Sequence, residues 1–453
     1  STALTNIVTE ILDTSATFSA PSVSINSFNR TRNLNDVFVA LFEPSGNLHW
    51  PGNLKRYRVD PVSDEIVDVN GDAAVDPVTG FFVDTAQSYW SASADGSDVG
   101  AGGAAHELPS PGSRNVYTYL GASNALTNGA NAIDTSNALL DDAALGIGNP
   151  GDPSRAAVIA FAQGADAADF DGDGNLTEAR NMIGDPLHGR PVTAIYGGTP
   201  ASPDIDDAAI YFGTNDGYLH AIDFATGAEL WSFIPEEFLP TQAALFENDA
   251  TNNKNYGIDG SPVIQRVDVN NNGIIETGDR VYMYFGMRRG GSFIYALDIT
   301  NKTAPQFMWK LDTSDLPGAG QSWSTPLATK VLVDTGSGQN SDHLALVIGG
   351  GYDLDQDGNT AVTDNEGNAL YIVDSVSGTL LWHASDAGAD RNLSAMQYSI
   401  PGDIKVIDID SDTYADRMYV TDMGGQLWRF DISNGQPASN LVAGGVIAQV
   451  GGA

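Results

Sequence analysis

The sequence predicts an all-β protein of the β-propeller type. One motif occurs four times in the second half of the chain: an apolar strand that ends in Asp, then a turn, and then usually a Trp. Signals for helices are scarce, while 50 Gly and 21 Pro residues are spread along the 453-residue chain, as short strands joined by tight turns require. The four copies of the motif occupy residues 213–231, 290–309, 367–382 and 424–435.

Each motif completes a unit of several strands. A Pro marks the opening strand, because Pro is confined to strand starts and sheet edges, and a loop then leads to a second apolar strand. The Trp after the final turn can pack on the next unit, which is how radially repeated sheets are held side by side. We therefore expect a modified β-propeller of about seven blades with long inserted loops. The opening strands are 190–198, 261–269, 325–334 and 401–410; the second strands are 208–213, 280–286, 344–350 and 416–422; the register is marked by Asp223, Asp298, Asp374 and Asp431.

The two parts of the chain differ in regularity. Residues 181–453 are predicted to form the propeller repeats, with acidic loops between strands. Residues 1–180 are predicted to be an irregular β-rich region, which is either an accessory part or a source of further blades. The chain opens without a signal peptide, which we interpret as the start of a mature or excised piece of a longer precursor.

Charge excludes several classes of function. The 58 acidic residues outnumber the 21 Lys and Arg residues, and the formal net charge is −37. Such a surface repels the phosphates of nucleic acid and anionic lipid, so neither is an expected partner. The absence of Cys removes thiol catalysis and zinc thiolate sites, and no apolar run is long enough for a transmembrane segment.

Two acidic loops occupy the same place in the repeat, between the first and second strands. Alternating carboxylate and amide groups on a tight turn point inward around one hard cation, and a later acid closes the far side. Calcium is favoured over magnesium because these loops offer six or more oxygens in a flexible geometry. The predicted ligands are Asp408, Asp410, Asp412 and Asp416 in one loop, and Asp268, Asn270, Asn272, the Ile274 carbonyl, Glu276 and Asp279 in the other.

Two further loops resemble the calcium loop of an EF-hand, with Gly at the sixth position, although neither lies between recognisable helices. An Asp/Gly-rich surface turn without a metal is the alternative for each of them. The predicted ligands are Asp169, Asp171, Asp173, the Asn175 carbonyl and Glu178 in one, and Asp353, Asp355, Asp357, the Asn359 carbonyl and Asp364 in the other.

No sequence pattern favours an enzyme. Phosphate-binding loops, nucleophile elbows and zinc protease motifs are not found, and the six His residues have no metal-ligand spacing. The repeat is also similar to that of quinone-dependent alcohol dehydrogenases, but the vicinal disulfide of those enzymes requires Cys, which this chain lacks. We therefore favour a binding protein and keep the dehydrogenase-like propeller as a weaker alternative.

Longer motifs resemble a known family along residues 20 to 440. The segments 26–59, 98–109 and 181–192, together with GMRRGGSFIYALDIT and DRMYVTDMGGQLWRFDI, are similar to the C-terminal region of the PilC/PilY family of type IV pilus proteins. The resemblance implies a modified propeller in which a calcium loop regulates pilus extension and retraction, and that role would fall on Asp408, Asp410, Asp412 and Asp416. The family's usual N-terminal von Willebrand factor A-like domain is not found in this chain, and the chain stops before the family's usual C-terminus.

The resemblance also implies partners and a location. We expect a calcium-binding pilus biogenesis factor and adhesin, outside the cell at the pilus tip or the outer membrane. Its partners would be minor pilins or other pilus machinery, together with a host or abiotic surface. A calcium-dependent lectin-like adhesin is the alternative, since it would use the same metal for a different partner.

Overall fold

The computed structural model describes residues 18–25, 33–199, 201–334, 340–358 and 363–450. They divide into two compact units, the first reaching to Asn255 and including Asn271–Ile275, the second made of Tyr256–Asn270 and the residues from Glu276 onward. Strands dominate both units, which confirms the prediction of an all-β protein. The predicted blade number of about seven and the predicted domain boundary after residue 180 stay predictions.

The first unit contains ten described strands in two sheets. One sheet has the order β1-β2-β3-β4, with β6 also paired to β3, and the other has the order β5-β10-β9-β8-β7. All pairs are antiparallel except β5 with β10. The bounds are β1 Phe18–Ile25, β2 Asn33–Phe42, β3 Pro51–Val59, β4 Ile66–Val67, β5 Val116–Tyr117, β6 Ile183–Gly184, β7 Val192–Thr199, β8 Ser202–Gly213, β9 Leu219–Asp223 and β10 Glu229–Phe233.

The second unit contains thirteen described strands in three sheets, with the orders β11-β12-β13-β14, β15-β16-β17-β18-β19 and β20-β21-β22-β23. The bounds are β11 Val263–Val267, β12 Arg280–Gly286, β13 Ile294–Asp298, β14 Gln306–Leu311, β15 Leu327–Asp334, β16 Asn340–Gly349, β17 Ala369–Asp374, β18 Leu380–Ser385, β19 Arg391–Asn392, β20 Lys405–Ile407, β21 Arg417–Thr421, β22 Gln426–Ile432 and β23 Val442–Gln449.

Helices are short and lie between strands. The described α-helices are α1 Gly103–His106, α2 Arg155–Ala162, α3 Thr241–Glu247 and α4 Ala438–Leu441, and the 3₁₀ turns are Gly129–Asn131, Glu236–Phe238, Arg288–Gly290 and Leu354–Asp357. The Ser154 hydroxyl caps the start of α2 by accepting from the Ala157 N–H.

The four sequence repeats become four similar sheets. The first repeat supplies β8 to β10 of the first unit, and the other three supply the sheets of the second unit. Counted from the opening strand of each repeat, three of the register residues end the third strand, and the fourth lies next to the end of β22: Asp223, Asp298, Asp374 and Asp431. The buried Trp residues of these sheets lie on their last two strands. The repeat therefore predicted the order of the strands correctly.

The predicted packing of Trp on the next unit is present in the second unit. Trp309 of β14 donates from Nε1 to the Ser375 carbonyl, 3.1 Å away, beside the following sheet. Trp382 of β18 packs edge-on against Phe430 of β22, with 6.2 Å between ring centroids. These contacts belong to two apolar clusters that join the three sheets of this unit.

Candidate metal centres

The loop at residues 408–416 joins β20 to β21 and draws acids together. Carboxylate oxygens of Asp408, Asp410 and Asp416 all lie within 4.8 Å of one another. The backbone allows this convergence through left-handed residues, since Ser411 has φ 65° and Thr413 has φ 81°. The two oxygens of Asp408 accept from the N–H groups of these same two residues, at 2.7 and 2.9 Å.

The fourth predicted ligand of this loop behaves differently. One oxygen of Asp412 accepts from the Tyr414 N–H at 2.8 Å, and this residue is not in the converging group. Asp416 closes the loop, because its Oδ2 accepts from the Ile409 N–H at 2.6 Å. The structure thus brings together three of the four acids that the spacing singled out.

Neighbouring strands anchor this loop. The Ala415 N–H donates to the Lys330 carbonyl of β15 at 2.8 Å, and the Tyr414 hydroxyl pairs with Asp342 of β16. Burial, followed by the Asp342 carboxylate, raises the pKa of Tyr414. Sequence reasoning missed both anchors, since nothing in the loop itself points to β15 or β16.

The loop at residues 169–178 contains two overlapping groups of acids. Oxygens of Asp169, Asp171 and Asp173 converge within 4.8 Å, and Asp171 also converges with Glu178 and Asp166. Asp169 Oδ1 accepts from the Gly174 N–H at 3.0 Å, so the first residue of the loop closes its tight turn. All four predicted carboxylates of this loop therefore take part in a converging group.

Asp166 is a residue that sequence reasoning missed. Its side chain is only 4% exposed, and both of its carboxylate oxygens lie 3.0 Å from the Phe170 nitrogen. Its own N–H donates to the Glu178 carbonyl, which ties the two ends of the loop together. The available signal was an acid three residues before the first predicted ligand.

The pKa of Glu178 reflects its desolvation and the repulsion between the clustered carboxylates. Desolvation, followed by the negative charges of Asp173 and Asp171, raises its pKa above the ordinary value. The side chain of Asn175 donates to Glu178 at 3.1 Å. The predicted ligand at this position is the backbone carbonyl of Asn175, a group separate from the side-chain amide that donates to Glu178.

The loop at residues 268–279 does not gather three carboxylates in the part of the chain that the structure describes. Asp279 is buried and accepts from the N–H groups of Val269 and Glu276, both at 2.9 Å, and these bonds lower its pKa. Asn270 donates to the Glu276 carboxylate, and the Asn272 side chain accepts from the Ile274 N–H. Asp268 lies 3.9 Å from Arg266. Calcium in this loop stays a prediction.

Three of the described acids of the loop at residues 353–364 accept hydrogen bonds from protein groups: Asp353, Asp357 and Asp364. Asp353 accepts from three backbone N–H groups, including that of Asp355, and Asp364 accepts from Gln356 and the Ser399 N–H. Arg289 forms a two-pronged ion pair with Asp357, at 2.7 and 2.8 Å, and lowers the pKa of Asp357 to about 2. Asn359 lies outside the described residues. Calcium in this loop stays a prediction as well.

The two converging loops match the chemistry of a hard cation. Their donors are carboxylate oxygens, which calcium prefers, and carboxylates this close together repel one another unless a cation or a proton lies between them. The loops at 408–416 and 169–178 therefore fit a calcium ion, whereas protein zinc sites are built mainly from imidazole and thiolate ligands. The helices in the described part of the chain lack the length and the apolar character of a transmembrane segment.

Comparison with known proteins identifies relatives. A family model described as the PilY1 beta-propeller domain matches residues 195–450. The type IV pilus biogenesis factor PilY1 of Pseudomonas aeruginosa strain UCBPP-PA14 is 26% identical over 409 residues, which are 85% of this chain and 30% of that protein. A PilY1 homolog of Xylella fastidiosa strain Temecula1 is 26% identical over 235 residues, 50% of this chain and 16% of the homolog. The chain thus spans less than a third of the length of these relatives.

A solved structure is also similar. The crystal structure of the Pseudomonas aeruginosa PilY1 C-terminal domain is 27% identical, with a TM-score of 0.35, and the match covers 49% of this chain and 38% of that one. The family assignment depends on the sequence match, which includes three of the five described sheets and most of a fourth. Because the family model matches more than half of its residues, the chain belongs to the PilY1 β-propeller family.

Proposed function

We propose that this protein acts in type IV pilus biogenesis as a binding and assembly component. The observation that carries the proposal is the family match over residues 195–450, together with relatives that are named type IV pilus biogenesis factors. A propeller suits this role because its sheets form a stiff frame and its loops present side chains to partners. The partners would be pilus machinery, including minor pilins.

We further propose that calcium controls this activity through the loop at 408–416. Asp408, Asp410 and Asp416 converge at the corner between β20 and β21. A bound calcium ion would supply the positive charge that lets these carboxylates stay close together. With the repulsion relieved, the loop holds one arrangement and keeps β20 and β21 in register at their ends, which favours one form of the surface that a partner meets.

The loop at 169–178, together with Asp166 before it, supports a second calcium site in the first unit. Asp166 is buried and tied to both Phe170 and Glu178, so its carboxylate is fixed before any cation arrives. A preorganised ligand lowers the entropy lost on binding. The first unit would therefore bind calcium with ligands from both the loop and the segment before it.

The same proposal covers location and adhesion. A pilus-associated protein acts at the cell surface, where millimolar calcium is available to sites of moderate affinity. Contact with a host or abiotic surface would be a further activity of the same chain. The net charge of −37 favours partners with basic faces.

Calorimetry of the purified 453-residue chain tests the metal proposal. We expect one calcium-binding event for each of the two converging loops. Asp408→Asn with Asp416→Asn removes one event and leaves the other. Asp357→Asn is the matched control, since Asp357 is engaged by Arg289, and it leaves both events in place.

Piliation tests the biological part. Cells that lack the protein should assemble few pili, and the Asp408→Asn, Asp416→Asn variant should change pilus number when calcium is varied. Normal piliation in the deletion strain would refute the pilus role, whereas unchanged calcium stoichiometry in the variant would refute only the assignment of the ion.

A further inference from the structure

Two turns of the first unit have the same sequence pattern and the same hydrogen bonds. The turns are Asp60–Glu65, with the sequence DPVSDE, and Asp76–Phe81, with the sequence DPVTGF. In each, the leading Asp carboxylate accepts from the N–H groups two and three residues later, at 2.7 and 3.0 Å. The leading Asp also accepts at its carbonyl from the fifth residue and donates to the sixth. A turn with the same hydrogen bonds follows Asp374, so these two copies are distinguished by their shared DPV sequence and by their closeness along the chain.

Both turns place a valine at an exposed tip. Val62 is 93% exposed and Val78 is 91% exposed, and Phe81 at the end of the second turn is 74% exposed. Three of the five large apolar side chains that are at least 70% exposed among the described residues thus fall within twenty residues of one another. Single exposed apolar residues are normal on protein surfaces, but a repeated arrangement is a different observation.

The strand order places the two tips side by side. Arg58 and Val59 of β3 pair with β4, Val67 of β4 bridges to Ala73, and Val75 bridges to Phe82, all antiparallel. Successive turns of such a meander alternate between the two ends of the sheet, so the first and third turns share one end. Two strand spacings separate them, which corresponds to about 10 Å.

A buried apolar cluster lies beneath the strands that carry the two turns. Tyr57, Ala74 and Ala86 are buried beneath these strands in one cluster, and Phe82 packs against it with its ring 4.7 Å from that of Tyr57. The two valine side chains do not belong to this cluster, so they contribute nothing to the free energy of folding through it. Substitution of either valine with a polar residue therefore leaves the core intact.

The charged side chains of the two turns are all acidic, and the basic residue just before them along the chain, Arg58, is paired with Asp36. Residues 59–105 contain no Lys, Arg or His, while Asp60, Asp64, Glu65 and Asp76 flank the two valines. Backbone N–H donors lower the pKa of Asp60 and of Asp76, so both stay ionised under mildly acidic conditions. Anionic lipid and nucleic acid are repelled by such a rim.

We infer that the paired valine tips form a docking surface for a partner protein that has an apolar groove bordered by Lys or Arg. The inference rests on the proposed pilus function, and it names the chemistry of the partner. Burial of each valine supplies apolar contact, and the acidic rim supplies charge complementarity, which sets orientation and association rate. The spacing of about 10 Å lets one groove take both tips at once.

Site-specific photo-cross-linking tests the inference in piliated cells. The probe is benzoylphenylalanine, placed at Val62 or at Val78 in the full-length protein. Val376 is the matched control position, because it follows Asp374 in a turn with the same hydrogen bonds but without the DPV sequence, and it is 44% exposed. We expect positions 62 and 78 to yield the same cross-linked protein, identified by mass spectrometry, with the attachment in an apolar segment flanked by basic residues.

Two further measurements test the same surface: cross-linking at high salt and binding of serine variants. Raising NaCl from about 0.1 M to about 1 M shortens the screening length from ~10 Å to ~3 Å, so the yield should fall severalfold. Val62→Ser with Val78→Ser should lower the affinity for the identified partner by about tenfold or more for each valine, whereas Val376→Ser should not change it.

The outcomes separate the inference from the function on which it rests. If deletion of the protein abolishes pili but positions 62 and 78 give no shared protein product, or give only lipid adducts, the docking surface is rejected and the pilus role stands. If the deletion strain assembles normal pili, the pilus role fails. A shared product whose attachment site is acidic would also overturn the docking surface.

Discussion

Arg114 holds Glu229 with two parallel hydrogen bonds, from Nε to Oε2 at 2.7 Å and from Nη2 to Oε1 at 2.9 Å. Both side chains are almost fully buried in the first unit, and His220 Nδ1 lies 2.7 Å from the same carboxylate. Arg114 precedes β5 and Glu229 begins β10, so the pair fastens the short parallel strand β5 to the outer side of its sheet. An ion pair this deep is stable only while both partners are present.

Removal of the Glu229 charge should therefore destabilise the first unit strongly. We expect Glu229→Gln to lower the free energy of unfolding by about 3–5 kcal/mol, because the Arg114 guanidinium would stay buried without its counter-charge. Urea denaturation followed by tryptophan fluorescence measures the change. Asp390→Asn is the control, since the His383–Asp390 pair is more exposed, and it should cost at most about 1 kcal/mol.

The same pair predicts a pH dependence. The Arg114 charge and the hydrogen bonds from His220 and Arg114 outweigh desolvation and lower the pKa of Glu229 from 4.5 to about 2. A carboxyl group whose folded pKa is below its unfolded value stabilises the fold above the unfolded pKa, and this contribution is lost as the pH falls. The free energy of unfolding should thus drop between about pH 4.5 and pH 2. The drop should be shallower in Glu229→Gln; equal slopes in the two proteins would contradict the assignment.

The repeat made the strand order of the sheets predictable. Asp223, Asp298 and Asp374 end the third strands as the motif required, and Trp309 and Trp382 lie on the fourth strands. This was possible because the alternation of strand residues and the chemistry of tight turns are local properties of a sequence.

The metal loops were predictable only in part. Spacing indicated that Asp408, Asp410 and Asp416 could face one another, and they do. Spacing did not reveal that Asp166 joins the loop at 169–178, nor that Arg289 engages Asp357 across 68 residues of sequence. Such partners come from other segments, so only the folded chain brings them to a loop.

Trp382 should be a principal source of stability in the second unit. It is fully buried in the cluster that joins β18 to β22 and contacts Phe430. We expect Trp382→Ala to cost about 3–5 kcal/mol, as the loss of a large core aromatic residue usually does. Phe81→Ala removes an exposed ring and should change stability by less than about 0.5 kcal/mol. Thermal denaturation monitored by circular dichroism compares the two variants.

The four acids of the loop at 408–416 should not contribute equally to calcium affinity. Asp408 belongs to the converging group, while Asp412 is directed to the Tyr414 N–H. We expect Asp408→Asn to weaken calcium binding by about tenfold or more, and Asp412→Asn by less than about threefold. Competition with a fluorescent calcium chelator measures both affinities. Equal losses would show that Asp412 turns inward when the ion binds.

Arg289 should decide whether the loop at 353–364 can hold a cation. Its guanidinium occupies both oxygens of Asp357, and the Tyr352 hydroxyl donates to the same carboxylate at 2.8 Å. Arg289→Ala frees Asp357, so we expect a weak additional calcium-binding event that the wild-type chain lacks. The pair is partly exposed, and its loss should therefore cost only about 1 kcal/mol of stability. Arg289→Lys, which keeps the charge but not the two-pronged geometry, is the control and should show a smaller gain. Calcium binding in this loop of the wild-type protein, unchanged by Arg289→Ala, would mean that the ion takes its ligands without Asp357.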